Sequence, residues 1–267
     1  MPKLNKQPNG LVIYDGPSMI DGERIIAIAV GLASASANRK TGDMIQTYIL
    51  RADASPIDAA RTGADVTICG DCPHRGHIAE TATGPKNVDR TCYVNLGQGP
   101  LSVWRAWSRG AYPVAPVEDL HLIATNRLVR LGTYGDPYAV PLEIWKGLLT
   151  MATGWTGYTH QWRIAPEFAR YCMASVDDED EAIAAAILSE VQWRTFRVAM
   201  PGDIARMRNE SICPASAEAG KKLTCTECLA CNGKATNRRG SIVIQAHGGF
   251  AVMANVKNHA REVETTA

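Results

Sequence analysis

The chain has 267 residues, a formal net charge of +1, ordinary aliphatic content and eight cysteines. That length buries a core without help, and the balanced charge excludes any general pull towards nucleic acid or membrane, leaving only a local basic groove open. No stretch approaches the roughly 20 apolar residues that span a bilayer and "MPKLNKQPNG" lacks an apolar signal core, so we expect a cytoplasmic protein whose cysteines serve metals or catalysis rather than disulfides.

In chain order, residues 1–22 read as an irregular lead-in punctuated by Pro8, Gly10, Gly16 and Pro17. "RIIAIAVGL" (24–32) and "MIQTYILRA" (44–52) read as strands by their β-branched runs. The Ser/Asn/Gly loop between them carries Arg39 and Lys40, candidates to meet a phosphate, although the spacing of a P-loop is absent. "SPIDAARTG" (55–63) predicts a short helix capped by Ser55 with Pro56 at its first position. A long cysteine-bearing loop follows and ends in the Pro-started helix "GQGPLSVWRAWSRG", closed by Gly110. Its Trp104 and Trp107, three residues apart, mark a buried helix face more readily than a base-stacking platform.

From residue 121 the pattern becomes regular. "RLVRLGTYG" predicts a strand, "PLEIWKGLLTMATG" a helix, "GYTHQW" a short strand, "PEFARYC" a helix, "MASVD" a strand, "DEDEAIAAAILS" a helix and "RTFRVAM" a strand, with "GSIVIQAHG" as the last strand. Alternation of this kind implies right-handed βαβ units and a mostly parallel sheet. The expected fold is α/β, a partial (β/α) barrel in one domain. Residues 1–60 form an N-terminal β extension, 61–110 the first cysteine loop and its helix, 111–206 the βα core, and 207–250 the C-terminal cysteine cluster and last strand. Active-site residues of such folds collect at the carboxyl ends of strands. Those ends read "GTYGDP", "YTHQW", "SVDD" and "QAHGG", so Gly132, Asp136, His160, Asp177 and His247 are expected on one rim. The acid run "DDEDEA" is mostly helix-start chemistry, where free amides favour carboxylates; Asp177, at the strand end itself, stays a site candidate.

Seven of the cysteines fall into two groups, and Cys172 in "EFARYCMASV" reads as a buried small hydrophobe. In the first group Cys69 and Cys72 form a C-x2-C knuckle and Cys92 returns after nineteen residues. Two thiolates at that spacing chelate one metal or two corners of a cluster. Either His74 or His77 would complete a tetrahedral zinc site. Three cysteines alone would leave one iron of a four-iron cluster open to a substrate or to S-adenosylmethionine. In the second group "CTECLACNG" packs Cys225, Cys228 and Cys231 at intervals of three, and Cys213-Pro214 supplies a remote Cys-Pro pair. This pattern favours a four-iron cluster held at all four corners over a structural zinc, and so a support or an electron relay.

Two resemblances follow from these stretches. The strand, Gly-rich acidic turn and proline at Gly135, Asp136 and Pro137 resemble the "GGEP" segment of radical S-adenosylmethionine enzymes, and Cys92-Tyr93 is similar to the aromatic after that family's last cluster cysteine. The resemblance implies that Cys69, Cys72 and Cys92 hold a catalytic cluster and that Gly135 and Asp136 help hold the methionine group. The departures are Asp for the usual Glu, and C-x2-C-x19-C in place of C-x3-C-x2-C. Over roughly residues 20–250, "ANRKTGDMIQTYILRA", "CGDCP…CYVN", "RLGTYGDP", "ICPASAEAG" and "CTECLACNG" resemble a bacteriophage family called gene product 88-like. That implies a phage setting in a host cytoplasm and carries no activity with it.

The leading expectation is therefore an iron–sulfur enzyme of radical S-adenosylmethionine-like type with one or two 4Fe-4S clusters and an electron donor. His160, Asp177 and His247 would orient a small-molecule or nucleotide substrate, or move its protons. One alternative is a zinc-stapled barrel transglycosylase acting on phage DNA bases with Asp136 or Asp177 as nucleophile. The other is a non-enzymatic binding protein whose metals only fix a surface.

Overall fold

The Ile/Val/Ala run at 24–30 has no polar face, so it must lie between two covering layers. In the computed structural model, which describes residues 8–34, 41–199, 210–220, 223–234 and 240–246, it does. Strands β1 (Gly10–Pro17), β2 (Arg24–Val30) and β3 (Ile45–Arg51) pair antiparallel. Ile25 through Ala29 of β2 are fully buried. β1 corrects the expected irregular lead-in. Its ends carry loop chemistry, yet the residues between them pair along the sheet edge with a bulge between Val12 and Tyr14.

Beyond β3 the chain forms α1 (Pro56–Thr62), α2 (Val66–Cys69), the hairpin β4 (His77–Thr81) and β5 (Gly84–Val88), and α3 (Gly99–Ser108). Ser55 caps α1 by accepting the Asp58 amide, and Gly63 ends it at φ 75°. Helices α1, α2 and α3 all pack on β3. Trp104 of α3 is half-buried and donates its indole N–H to the Arg51 carbonyl at 3.1 Å, so it serves the packing of this layer.

After α4 (Leu120–Ile123) the sheet turns parallel. β6 (Leu128–Tyr134) pairs parallel with β3, and after α5 (Leu142–Leu149) β7 (Gly154–Thr156) pairs parallel with β6. Gly157 alone separates β7 from β8 (Tyr158–Thr159), which opens a second sheet. There β9 (Met173–Val176), β10 (Thr195–Ala199), β11 (Glu210–Ile212) and β12 (Ser241–Gln245) are added, every pairing parallel. The spatial orders are β1-β2-β3-β6-β7 and β11-β12-β10-β9-β8. The fold is mixed α/β with parallel-stranded sheets, and among the described residues no closed barrel forms.

Two predicted helices take tighter or looser forms. The segment after Pro166 is a 3₁₀ turn, Pro166–Arg170, and the acidic segment is α6 (Glu179–Ile183) running into a π turn, Ala184–Leu188. α7 (Cys225–Cys228) holds two of the second-group cysteines. Arg39, Lys40 and His247 lie outside the described residues. Among the described residues no helix is long and apolar enough to cross a membrane.

Candidate metal and reaction centre

The first cysteine group is assembled by a turn and a hairpin. α2 ends at Cys69, and Gly70 follows at φ 58° and ψ −135°, a conformation open to glycine. A Cβ there would run into the side-chain amide of Gln161. Cys72 then starts the 3₁₀ turn Pro73–Arg75. Thr91 and Cys92 donate their amides to the His74 carbonyl at 3.0 and 2.8 Å. The nineteen residues between Cys72 and Cys92 are thus an excursion whose two ends meet, with the β4–β5 hairpin as its body. One fully buried carboxylate locks the base. Asp65 accepts from Arg75 Nη1 at 3.3 Å and from Arg90 Nη1 at 2.6 Å. The meeting of the excursion's two ends brings Cys92 back beside the knuckle. Burial pushes the Cys69 thiol well above its ordinary range, and Cys72, Asp65, Cys92 and Asp136 push the same way. Burial also raises Cys92, against the Val94 amide and the Arg90 charge. Thiols give up their protons to a cation, so these three half-buried cysteines could hold a soft metal ion or an iron–sulfur cluster.

Four strand-end or turn residues gather beside these thiols. Asp136 follows β6 through the Gly132–Gly135 turn, where both glycines have positive φ and a Cβ on Gly135 would press on Ile49. Asp136 is 7% exposed, and its two oxygens accept the amides of Tyr138 at 2.9 Å and His160 at 2.8 Å. Burial raises its pKa against those hydrogen bonds. His160 follows β8, and its Nε2 lies 3.8 Å from Cys72 Sγ and 3.7 Å from Asp177 Oδ1. Asp177 follows β9 and also receives His74 Nε2 at 2.9 Å. Burial raises the Asp177 carboxyl, but hydrogen bonds from His160 and His74 prevail and hold it below the usual carboxylate range. Burial would lower His160, yet the neighbouring Cys72 and Asp177 carry it well upward.

A polar cleft of about 180 Å³ opens on this group, with Asp71, His160, Arg163, Ser175, Asp177 and Glu181 in its wall. The remaining acid-run residues shape the helix start, as expected. Asp178 caps α6 through the Glu181 amide at 2.8 Å, and Glu181 accepts the Asp177 amide at 2.9 Å.

The structure therefore brings together Cys69, Cys72, Cys92, Asp136, His160 and Asp177, and adds His74. Of the two histidines offered as zinc ligands, His74 turns towards Asp177, while His77 is 63% exposed and 3.7 Å from surface Asp89. Asp65, Arg75, Arg90 and Gln161 went unnoticed in the sequence. Charged residues just outside C-x2-C and just before Cys92 were the one available signal.

The second group lies where β11, α7 and β8 meet. Cys213 follows β11 and donates its amide to Val243 at 2.7 Å. A capping box between Thr224 and Glu227 starts α7, and Leu229 ends it at φ 47°, which turns the chain back towards Cys231. Burial pushes the Cys231 thiol up to about 12; the Tyr158 hydroxyl opposes this and Cys213, Cys225 and Cys228 add to it. Cys231 thus feels the other three cysteines of its group. Buried Arg194 clasps the loop from behind, donating to the carbonyls of Ala230, Gly233 and Gly240 at 2.8, 2.6 and 2.9 Å. The two cysteine groups are joined by side chains. Tyr93, next to Cys92, has its hydroxyl 3.4 Å from Arg130, whose guanidinium lies 5.8 Å over the Tyr158 ring. Tyr158 in turn hydrogen-bonds Cys231.

Comparison of the chain with protein-family models, with curated proteins and with solved structures returns no match.

Proposed function

We propose that the chain is an iron–sulfur enzyme of radical S-adenosylmethionine-like type, with its reaction centre at the carboxyl ends of β3, β6, β8 and β9. The observation that carries this reading is the meeting of Cys69, Cys72 and Cys92 with Asp136, His160 and Asp177 at the ends of neighbouring parallel strands. The open run β3, β6, β7/β8, β9, β10, β12, β11 is read as the partial barrel. In support of this reading, the hairpin in the x19 excursion returns Cys92 to the knuckle.

A four-iron cluster on Cys69, Cys72 and Cys92 would supply reductive cleavage of a bound sulfonium. The chain's own residues do the rest. Asp136 acts as a positioning residue, because its oxygens hold the turn at Tyr138 and the His160 backbone. His160 and Asp177 face the cleft, where they orient a small polar substrate. Cys213, Cys225, Cys228 and Cys231 hold a second metal centre, a four-iron cluster or zinc, and the Tyr93–Arg130–Tyr158 path makes it a candidate relay to the first. The resemblance to the gene product 88-like family supports a phage setting, and a nucleotide or nucleic-acid substrate is the proposal's own extension of that setting. The base-transglycosylase alternative is weakened by Asp136, whose oxygens are engaged by backbone amides, leaving Asp177 as its nucleophile.

Anaerobic purification with assay of iron, sulfide and zinc tests the reading. The expected result is a coloured protein with about four or about eight irons per chain. S-adenosylmethionine should then perturb the electron-spin signal of the reduced cluster. Cys72→Ala should abolish that response while metal at the second group remains. A colourless protein with two zinc ions overturns the proposal.

A further inference from the structure

We propose that His74, His160 and Asp177 form a mononuclear site for a divalent first-row transition-metal ion, beside the first thiol group but with nitrogen and oxygen donors of its own. The three donors arrive from three segments: the turn after Cys72, the end of β8 and the end of β9. Their donor atoms all lie within 4.8 Å of one another. His74 Nε2 is 2.9 Å and His160 Nε2 3.7 Å from the same oxygen, Asp177 Oδ1. Metal–ligand bonds of about 2.0–2.2 Å set neighbouring donors roughly 3–3.5 Å apart. The two separations to Asp177 Oδ1 bracket that range, and the third pair lies within 4.8 Å.

The surroundings are those of a metal site as well. The far nitrogen of His74, Nδ1, is 2.8 Å from Thr91 Oγ1, and Thr91 is buried. That contact fixes the ring and aims Nε2 inward, the usual task of a group behind a metal-binding histidine. The His160 backbone is fixed in the same sense by Asp136. Three protein donors leave coordination positions open, and the cleft reaches His160 and Asp177 from the side of Ser175 and Asp71. Two imidazoles with one carboxylate and open positions suit Fe²⁺, Mn²⁺, Co²⁺ or Zn²⁺. Cys72 Sγ, 3.8 Å from His160 Nε2, puts this ion on the wall shared with the first thiol group.

Manganese separates this site from the thiols, because a hard ion prefers nitrogen and oxygen donors to thiolate. The full chain, purified anaerobically with its thiol groups as isolated, is titrated with Mn²⁺. Binding is read from the loss of the electron-spin signal of the free aqua ion. One Mn²⁺ per chain is expected. His74→Ala and Asp177→Asn should each weaken binding at least about tenfold, and Thr91→Val by about tenfold through the ring it orients. His77→Ala should leave binding unchanged. Unaltered circular dichroism and unaltered metal content at the thiols establish that each variant is folded. No stoichiometric Mn²⁺ binding by the folded parent, or binding indifferent to both His74→Ala and Asp177→Asn, overturns the proposal. A chain lacking iron and sulfide that still binds one Mn²⁺ refutes the cluster reading and leaves this one standing.

Discussion

Asp136 accepts two backbone N–H bonds at 2.8–2.9 Å and is nearly inaccessible to solvent. Its sequence context, a Gly-rich turn ending in proline, marks the position but not which atoms its oxygens face. The motif alone made it a ligand of a methionine group; the geometry makes it a brace between the ends of β6 and β8. The difference is measurable. Asp136→Asn keeps the shape but turns an amide N–H₂ against one of the two donors, leaving that buried N–H unsatisfied. A loss of about 1–3 kcal/mol is expected, read as a lower urea midpoint at unchanged denaturant slope. A residue that only greeted a ligand would leave the midpoint where it was. The histidines teach the same lesson in reverse. His74 and His77 are equivalent by type and spacing, and only the position of Asp65 and the hairpin base decides that one faces the site and the other faces solvent.

At the scale of elements, the strands β2, β3, β6, β8, β9, β10 and β12 were legible because each carries a β-branched or apolar run that must be buried. β1, the β4–β5 hairpin, β7 and β11 were not. "HIAET" and "GPKNV" show no apolar alternation and are largely exposed. Their pairing is fixed at the base by the Asp65 clamp on Arg75 and Arg90, a long-range tertiary contact with no local signature. β11 is three residues long and is anchored in the same way. Arg197 of β10 makes a two-pronged ion pair with Glu210 of β11, at 3.2 and 2.8 Å, with both side chains almost fully buried. Breaking this pair removes two charge-assisted hydrogen bonds between almost fully buried groups. Arg197→Met or Glu210→Gln should therefore each destabilise by about 3–5 kcal/mol, whereas an apolar replacement of both should come close to the parent. A double-mutant cycle on unfolding free energies checks this. Equal, additive losses would mean that the pair is solvated and β11 is held by its backbone alone.

On the scale of the whole molecule, βα alternation made the parallel order legible, together with the convergence of strand-end residues. The way the sheet divides was not. An uninterrupted barrel wall was the simplest continuation, yet the wall breaks at Gly157, where one stretch of chain closes the first sheet and opens the second. Cross-chain packing makes this residue glycine. A Cβ would stand 2.9 Å from Cys172 Sγ and 3.2 Å from Leu131 Cβ, both in the buried core. The Gly157 amide donates to the Cys231 carbonyl at 2.9 Å, and its carbonyl accepts from Met173. The junction therefore joins the two sheets to each other and to the second thiol group. It also gives lone Cys172 its role, that of a small buried side chain sized to the gap. Gly157→Ala should overpack this contact and cost about 1–3 kcal/mol, read as a lower melting temperature. Adding Cys172→Ala removes the sulfur that the new methyl meets. The double variant should regain part of the lost melting temperature, although Cys172→Ala alone is itself destabilising. If the second change adds its own loss with no recovery, the two side chains do not compete for one space, and the sheet junction is held by something other than this contact.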